Sequence, residues 1–96
     1  MRIVWRPGAV QDVDELWRFI AADSVAAGQR VMLAVEEAVE RAASMPNLGR
    51  VGRVAGTREL VAPQTPYVVV YAETVEELMI LAVLHSERTG RDGFSD

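Results

Sequence analysis

The spacing of the apolar residues changes near residue 57, and this change limits the possible folds more than any other feature of the sequence. Before it, apolar residues recur three and four positions apart in two segments, which is the period of amphipathic helices. The first segment contains Ala9, Val13, Leu16, Trp17 and Ile20. The second is made largely of small residues and contains Ala27, Val31, Ala34, Val35, Ala38, Val39 and Ala42. Asp23 or Ser24 can cap the second segment, so we predict two consecutive helices.

After residue 57 the chain has the period and composition of strands. Three runs are rich in β-branched and aromatic residues, and turn residues separate them: Thr57–Val61, Tyr67–Glu73 and Glu77–Leu84. Leu78–Leu84 is apolar at every position, so we expect it to be a central strand that is covered on both faces. Arg2–Trp5 is a further short β-prone segment, and residues 45–56, with a proline and three glycines, have the composition of a loop.

The predicted order is strand, helix, helix, strand, strand, strand. It indicates an α+β fold in which a two-helix hairpin packs on a small antiparallel sheet. The length of 96 residues suits one domain, which we assign to residues 1–96, with residues 89–96 as a flexible tail.

Composition excludes several classes of function. The chain has no cysteine and one histidine, His85, so we predict neither a metal site nor a cofactor. No apolar run could span a bilayer and the first residues do not resemble a secretion signal, which favours a cytoplasmic protein. The net charge is −4, although all ten basic residues are arginines. An acidic chain is a poor candidate for strong direct binding to nucleic acid.

The second predicted helix carries carboxylates on its polar side, at Glu36, Glu37 and Glu40. Glu37 is spaced to form an ion pair with Arg41 one helical turn later. We interpret this side as a solvated face and not as a catalytic pair.

Five stretches of the sequence, in their order along the chain, resemble the ParE/RelE superfamily of toxins from bacterial toxin-antitoxin pairs: DELWRFIAADS, MPNLGR, GTREL, PYVVVY and ILAVLHSER. The resemblance runs from about Ile3 to Arg88 and covers nearly the whole chain. It implies a helical hairpin on an antiparallel sheet and a small antitoxin encoded beside the toxin. The ParE branch is associated with poisoning of DNA gyrase, and the RelE branch with cleavage of mRNA on the ribosome. Fold alone does not distinguish the two activities.

The residues available for catalysis favour the ParE-like activity. RNA cleavage without a metal needs a base, an acid and cations around one phosphate. RelE-like toxins supply these with lysines, arginines and a late tyrosine. This chain offers Arg58, His85 and Arg88, but it has no lysine and no tyrosine after Tyr71. We therefore predict an inhibitor that acts by binding DNA gyrase, with two alternatives: a metal-independent ribonuclease of RelE type, or a degenerate toxin that only binds its antitoxin.

Arg58 has two interpretations. As a functional residue it would be a fork for a phosphate or for a carboxylate on a partner. As a structural residue it would form an ion pair within the chain, with Glu59, Glu87 or Asp92.

The other candidates near the strands are open in the same way. His85 is either a general acid or base, or a half-buried histidine satisfied by a backbone group. Arg88 follows the last strand, where sites are commonly built, but it could equally be a solvated charge. Arg50 and Arg53 give the glycine-containing loop a local positive patch.

Large apolar side chains provide a second candidate surface. The apolar faces of the two predicted helices do not clearly account for the burial of four large side chains: Trp5, Trp17, Phe19 and Met32. These side chains either form an exposed patch or complete the core. Together with the resemblance, they predict a ParD-like antitoxin that covers the hairpin and the sheet in a hetero-oligomer. The predicted partner-binding residues are Arg58, Arg88, His85, Arg50, Arg53, Trp17, Phe19 and Met32. Because the chain is acidic, the covering segment should not be strongly acidic.

Overall fold

The computed structural model describes residues 1–87 and contains two helices packed on one face of a five-stranded sheet. Strand β1 (Arg2–Trp5) precedes helices α1 (Pro7–Asp23) and α2 (Val25–Ser44). A 3-10 turn at Pro46–Leu48 then leads into strands β2 (Arg50–Val51), β3 (Arg58–Val61), β4 (Tyr67–Glu73) and β5 (Glu77–His85). The α+β class and the order strand, helix, helix and then strands are confirmed. The proposed tail, residues 89–96, lies outside the described residues.

The helix boundaries follow from local chemistry. α1 begins at Pro7, two residues before the first predicted apolar position, because a proline in the first turn has no N–H that a helix would need to satisfy. Ser24, and not Asp23, caps α2: its Oγ accepts a hydrogen bond of 3.1 Å from the amide of Ala27. Neither helix within residues 1–87 has the length and apolar character needed to cross a membrane.

The strand order is β1-β5-β4-β3-β2, so β5 is an interior strand as predicted. All neighbours are antiparallel except β1, which pairs in parallel with β5. β1 ends where Trp5 lies beside Ile80, and beyond this point α1 covers the edge of β5. There Asp12 of α1 accepts a hydrogen bond of 3.0 Å from the amide of Val83, a backbone donor that β1 is too short to reach.

A β-bulge divides the side chains of β5 between the two faces of the sheet. Ile80 pairs with Tyr71 and Ala82 pairs with Val70, so Leu81 is an extra residue without a partner. Residues from α1 and α2 pack on the helix-covered face, which includes Tyr71 and Ile80. The opposite face, which we call the far face, carries a second buried cluster of Val70, Ala82 and Leu84. The prediction that β5 is buried on both faces therefore holds over most of the strand, while Met79 and Leu81 are half-buried.

Candidate functional site

The hydroxyl of Tyr71 holds the segment that joins α2 to the sheet. Tyr71 is fully buried in β4. Its hydroxyl donates a hydrogen bond of 2.7 Å to the carbonyl of Pro46 and accepts one of 2.9 Å from the amide of Gly49. A Cβ at position 49 would lie 2.5 Å from that hydroxyl and 2.9 Å from the carbonyl of Glu59, so only glycine fits there. The turn after α2 is thus fixed directly over Tyr71, a role that the sequence did not indicate.

Arg58 contributes to the same anchor. Arg58 lies on β3, opposite Tyr71 of β4, and its side chain is on the helix-covered face. Its Nη1 donates a hydrogen bond of 2.8 Å to the carbonyl of Gly49. Within residues 1–87 it forms no ion pair, so the predicted pairs with Glu59 and Glu87 are absent. Asp92, the third predicted partner, lies outside the described residues. Because the half-buried guanidinium of Arg58 binds a backbone carbonyl of its own chain, this side chain contributes to the stability of the fold.

Glu59 faces the opposite side of the sheet and holds the other end of this segment. Its side chain is nearly buried on the far face, beside Val70. Oε1 accepts hydrogen bonds of 3.1 and 2.8 Å from Nε and Nη2 of Arg50, and Oε2 accepts one of 3.2 Å from the amide of Arg53. Much of the charge of Arg50 is therefore balanced by Glu59, which weakens the predicted positive patch of Arg50 and Arg53. The sequence contained one indication of this contact: Glu59 is a charged residue within an apolar strand, and two arginines lie in the loop before it.

His85 lies at the other end of the sheet. It pairs with Tyr67 across β4 and β5, and the two rings meet edge to face with centroids 5.6 Å apart. Its Nδ1 accepts a hydrogen bond of 3.2 Å from the amide of Glu87, in agreement with the interpretation of a half-buried histidine satisfied by the backbone.

The structure does not bring Arg58 and His85 together. Arg58 is opposite Tyr71 and His85 is opposite Tyr67, so the two lie four residues apart along β4 and two strands apart across the sheet. These separations correspond to about 13 Å along the strand and about 10 Å across it. Arg88, the third residue of the predicted ribonuclease set, lies outside the described residues. Within residues 1–87, no group of three histidine, aspartate or glutamate side chains is placed to hold a metal ion.

The four large apolar side chains have different environments. Trp5 packs against the core, and Met32 is half-buried. Trp17 packs between the helices over Gly28, where a Cβ would lie 2.8 Å from its Cζ3. Phe19 is 77% exposed and is the one member of this set that forms a free apolar surface.

Two sequence comparisons with known proteins identify the family of the chain, and a structural comparison identifies its fold. The chain matches the family model described as "ParE toxin of type II toxin-antitoxin system, parDE" over residues 3–90. It is 36% identical over 87 residues to "Putative toxin Y4kP" of Sinorhizobium fredii (strain NBRC 101917 / NGR234), which covers 91% of this chain and 90% of that protein. A chain in the solved structure "Chromosomal ParDE TA system from P. aeruginosa" superposes with a TM-score of 0.77 at 20% identity, covering 88% of this chain and 95% of that one. The structural match shows a shared fold.

Proposed function

This chain belongs to the ParE toxin family of type II toxin-antitoxin systems, and we propose that it arrests growth by binding DNA gyrase in the cytoplasm. A cognate ParD-like antitoxin neutralises it in a hetero-oligomer. In this proposal the toxin has no catalytic step of its own, and its effect depends on the affinity and position of its contacts with the target.

The separation of Arg58 from His85 is the observation that supports a binding function over a ribonuclease function. Cleavage of RNA requires a base, an acid and cations within hydrogen-bond reach of one phosphate. Residues that lie about 13 Å apart along a strand, and two strands apart across the sheet, are poorly placed to contact the same phosphate. The fold also keeps the Arg58 guanidinium on Gly49, away from the histidine.

Purified protein in a gyrase supercoiling and cleavage assay, beside a cell-free translation assay, tests the proposal. We expect loss of supercoiling or accumulation of cleaved DNA, with translation unaffected. Arrested translation with cut mRNA and unaffected gyrase would establish the RelE-type ribonuclease instead. Expression without growth arrest would indicate a degenerate toxin that only binds its antitoxin.

Arg58→Ala tests binding and folding together, because Arg58 is a predicted partner-binding residue that also binds Gly49 within the chain. Because Arg58 also binds Gly49, Arg58→Ala should cost about 1 to 3 kcal/mol of stability, which is more than a solvated arginine would cost. If it also anchors the target, its loss should weaken gyrase binding by about 2 kcal/mol or more, roughly 30-fold. Binding is measured at a temperature where the variant is fully folded. Arg18→Ala is the matched control, since Arg18 is exposed and pairs with Asp14 one turn away. Unchanged binding by folded Arg58→Ala would assign Arg58 to the fold alone.

The antitoxin is tested by co-expression from the native operon, followed by purification through a tag on this chain. We expect a small protein from the neighbouring gene to co-purify in a fixed ratio. Recovery of this chain alone, soluble and harmless to cells, would refute this part of the proposal. Phe19→Ser is a useful variant in this assay, because Phe19 is exposed and its loss should weaken the complex if the antitoxin covers the hairpin.

A further inference from the structure

Within residues 1–87, no strand pairs with the outer edge of β1. The amides of Arg2 and Arg6 donate to the carbonyls of Glu76 and Ile80, so the even-numbered residues of β1 face β5. In a parallel pair, alternate residues direct their backbone groups to opposite sides, so the N–H and C=O groups of Ile3 and Trp5 point away from β5. β1 is an edge strand of the sheet, and its one neighbour among the described strands is β5. Unpaired edges of this kind are templates for an added strand.

A groove runs beside this edge, between β1 and α2. Its apolar surface is formed by Ile3 and Trp5 from the strand and by Leu33 and Val39 from the helix. Leu33 is 65% exposed, so the residues that the structure describes leave a large apolar side chain uncovered at this groove. The groove has a volume of about 630 Å³, enough for several side chains.

The rim of the groove carries three carboxylates from the side of α2 that was predicted to be a solvated face: Glu36, Glu37 and Glu40. The predicted ion pair of Glu37 with Arg41 is not formed, and none of the three glutamates has an ion pair within residues 1–87. Three negative charges that no basic residue of the described part of the chain neutralises, beside an apolar groove, favour a partner with basic side chains.

We infer that an extended segment of the antitoxin pairs with the free edge of β1 as a sixth strand. On the face that meets α2, which takes every second residue, this segment carries both apolar and basic side chains. Alternate side chains of an added strand point to the same face, so one set enters the groove over Ile3 and Trp5 while arginines or lysines of that set reach the α2 carboxylates. The inference rests on the proposed antitoxin and specifies where and by what chemistry that antitoxin binds.

Hydrogen exchange followed by NMR tests the strand pairing. The probe is the small protein encoded beside this chain, added to the full chain. In the free chain the Ile3 and Trp5 amides should exchange rapidly. In the complex both should slow by about tenfold or more, as expected for amides that enter a sheet ladder.

Charge reversal tests the rim. Glu36→Arg with Glu40→Arg should weaken antitoxin binding by about tenfold or more and reduce its dependence on salt. Glu73→Arg with Glu87→Arg makes the same charge change at exposed positions away from β1 and should alter affinity by less than about twofold. Melting temperatures verify that both variants fold, and Glu36→Gln with Glu40→Gln supplies a milder pair if the reversal disturbs α2.

Each outcome decides a different point. A complex that leaves the Ile3 and Trp5 amides unprotected, or that responds equally to both charge reversals, overturns this inference and leaves the toxin-antitoxin function intact. Protection of the same amides in the free chain, with a dimer in sedimentation, assigns the edge to a second copy and also overturns it. Failure of the wild-type chain to bind the neighbouring protein overturns both the inference and the proposed antitoxin.

Discussion

Removing one oxygen atom, by Tyr71→Phe, should destabilise this protein far more than the same change at Tyr67. The ring of Tyr71 would stay buried, but the amide of Gly49 would lose its acceptor and the carbonyl of Pro46 would lose its donor. A buried amide without a partner costs about 1 to 3 kcal/mol, and a lost hydrogen bond at a partly buried carbonyl about 0.5 to 1.5 kcal/mol. We expect a total loss of about 1.5 to 4.5 kcal/mol, a large fraction of the stability of a domain of this size.

Urea denaturation with a matched control measures this loss. Tyr67 is half-buried, and its hydroxyl makes no hydrogen bond with residues 1–87, so Tyr67→Phe should change stability by less than about 0.5 kcal/mol. The Tyr71→Phe midpoint should fall by about 1 to 2 M urea with an unchanged slope. The Gly49 amide should also exchange faster, since its acceptor is gone. Equal stability of the two variants, with the Gly49 exchange unchanged, would refute the role of Tyr71 as the anchor.

Two further predictions concern the helical hairpin. Gly28→Ala should destabilise the chain, because its Cβ would lie 2.8 Å from Cζ3 of Trp17 and 3.3 Å from Cβ of Ala21, and in a Trp17→Leu background, where the first contact is gone, the same change should cost about 1 kcal/mol less. A double-mutant cycle in urea measures this coupling, and an equal cost in both backgrounds would contradict the close packing of Trp17 on Gly28. Ser24→Ala should cost about 1 kcal/mol through loss of the cap on the Ala27 amide, a fall of about 4 to 8 °C in melting temperature. Ser24→Asp should retain most of that stability, and equal melting of all three proteins would contradict a capping role.

The elements that could be predicted from the sequence are those with a long, regular apolar period. β4 was predicted with the observed bounds, Tyr67–Glu73, and β5 with its first residue. β2 was missed because two residues cannot display a period. The parallel pairing of β1 with β5 was not predictable either, since a four-residue strand carries no information about which neighbour it selects or in which direction.

The candidate site was less predictable because its contacts join residues that are distant in sequence. The bond from Tyr71 to Pro46 spans 25 positions, and the pair of Arg50 with Glu59 depends on the unforeseen strand β2. The distance between Arg58 and His85 depends on the registers of two strand pairs, which the sequence pattern does not define. Residue types therefore indicated which groups could act, while the registers determined which of them can act together.

Hydrogen bonds within the chain limit how much some arginines can contribute to the affinity for a partner. Arg58 is held on the helix-covered face by Gly49, and Arg50 is held on the far face by Glu59, so the connection between α2 and β3 is fastened from both sides of the sheet. A partner that binds either guanidinium must share it with these contacts or displace them, which reduces the net gain in affinity. Side chains without such internal bonds, Phe19 on the hairpin and Leu33 in the β1–α2 groove, can be covered by a partner without breaking a contact of the fold. The affinity for a partner should therefore depend more on the exposed apolar side chains of the hairpin and the groove than on Arg50 and Arg58, which the sequence indicated as binding residues.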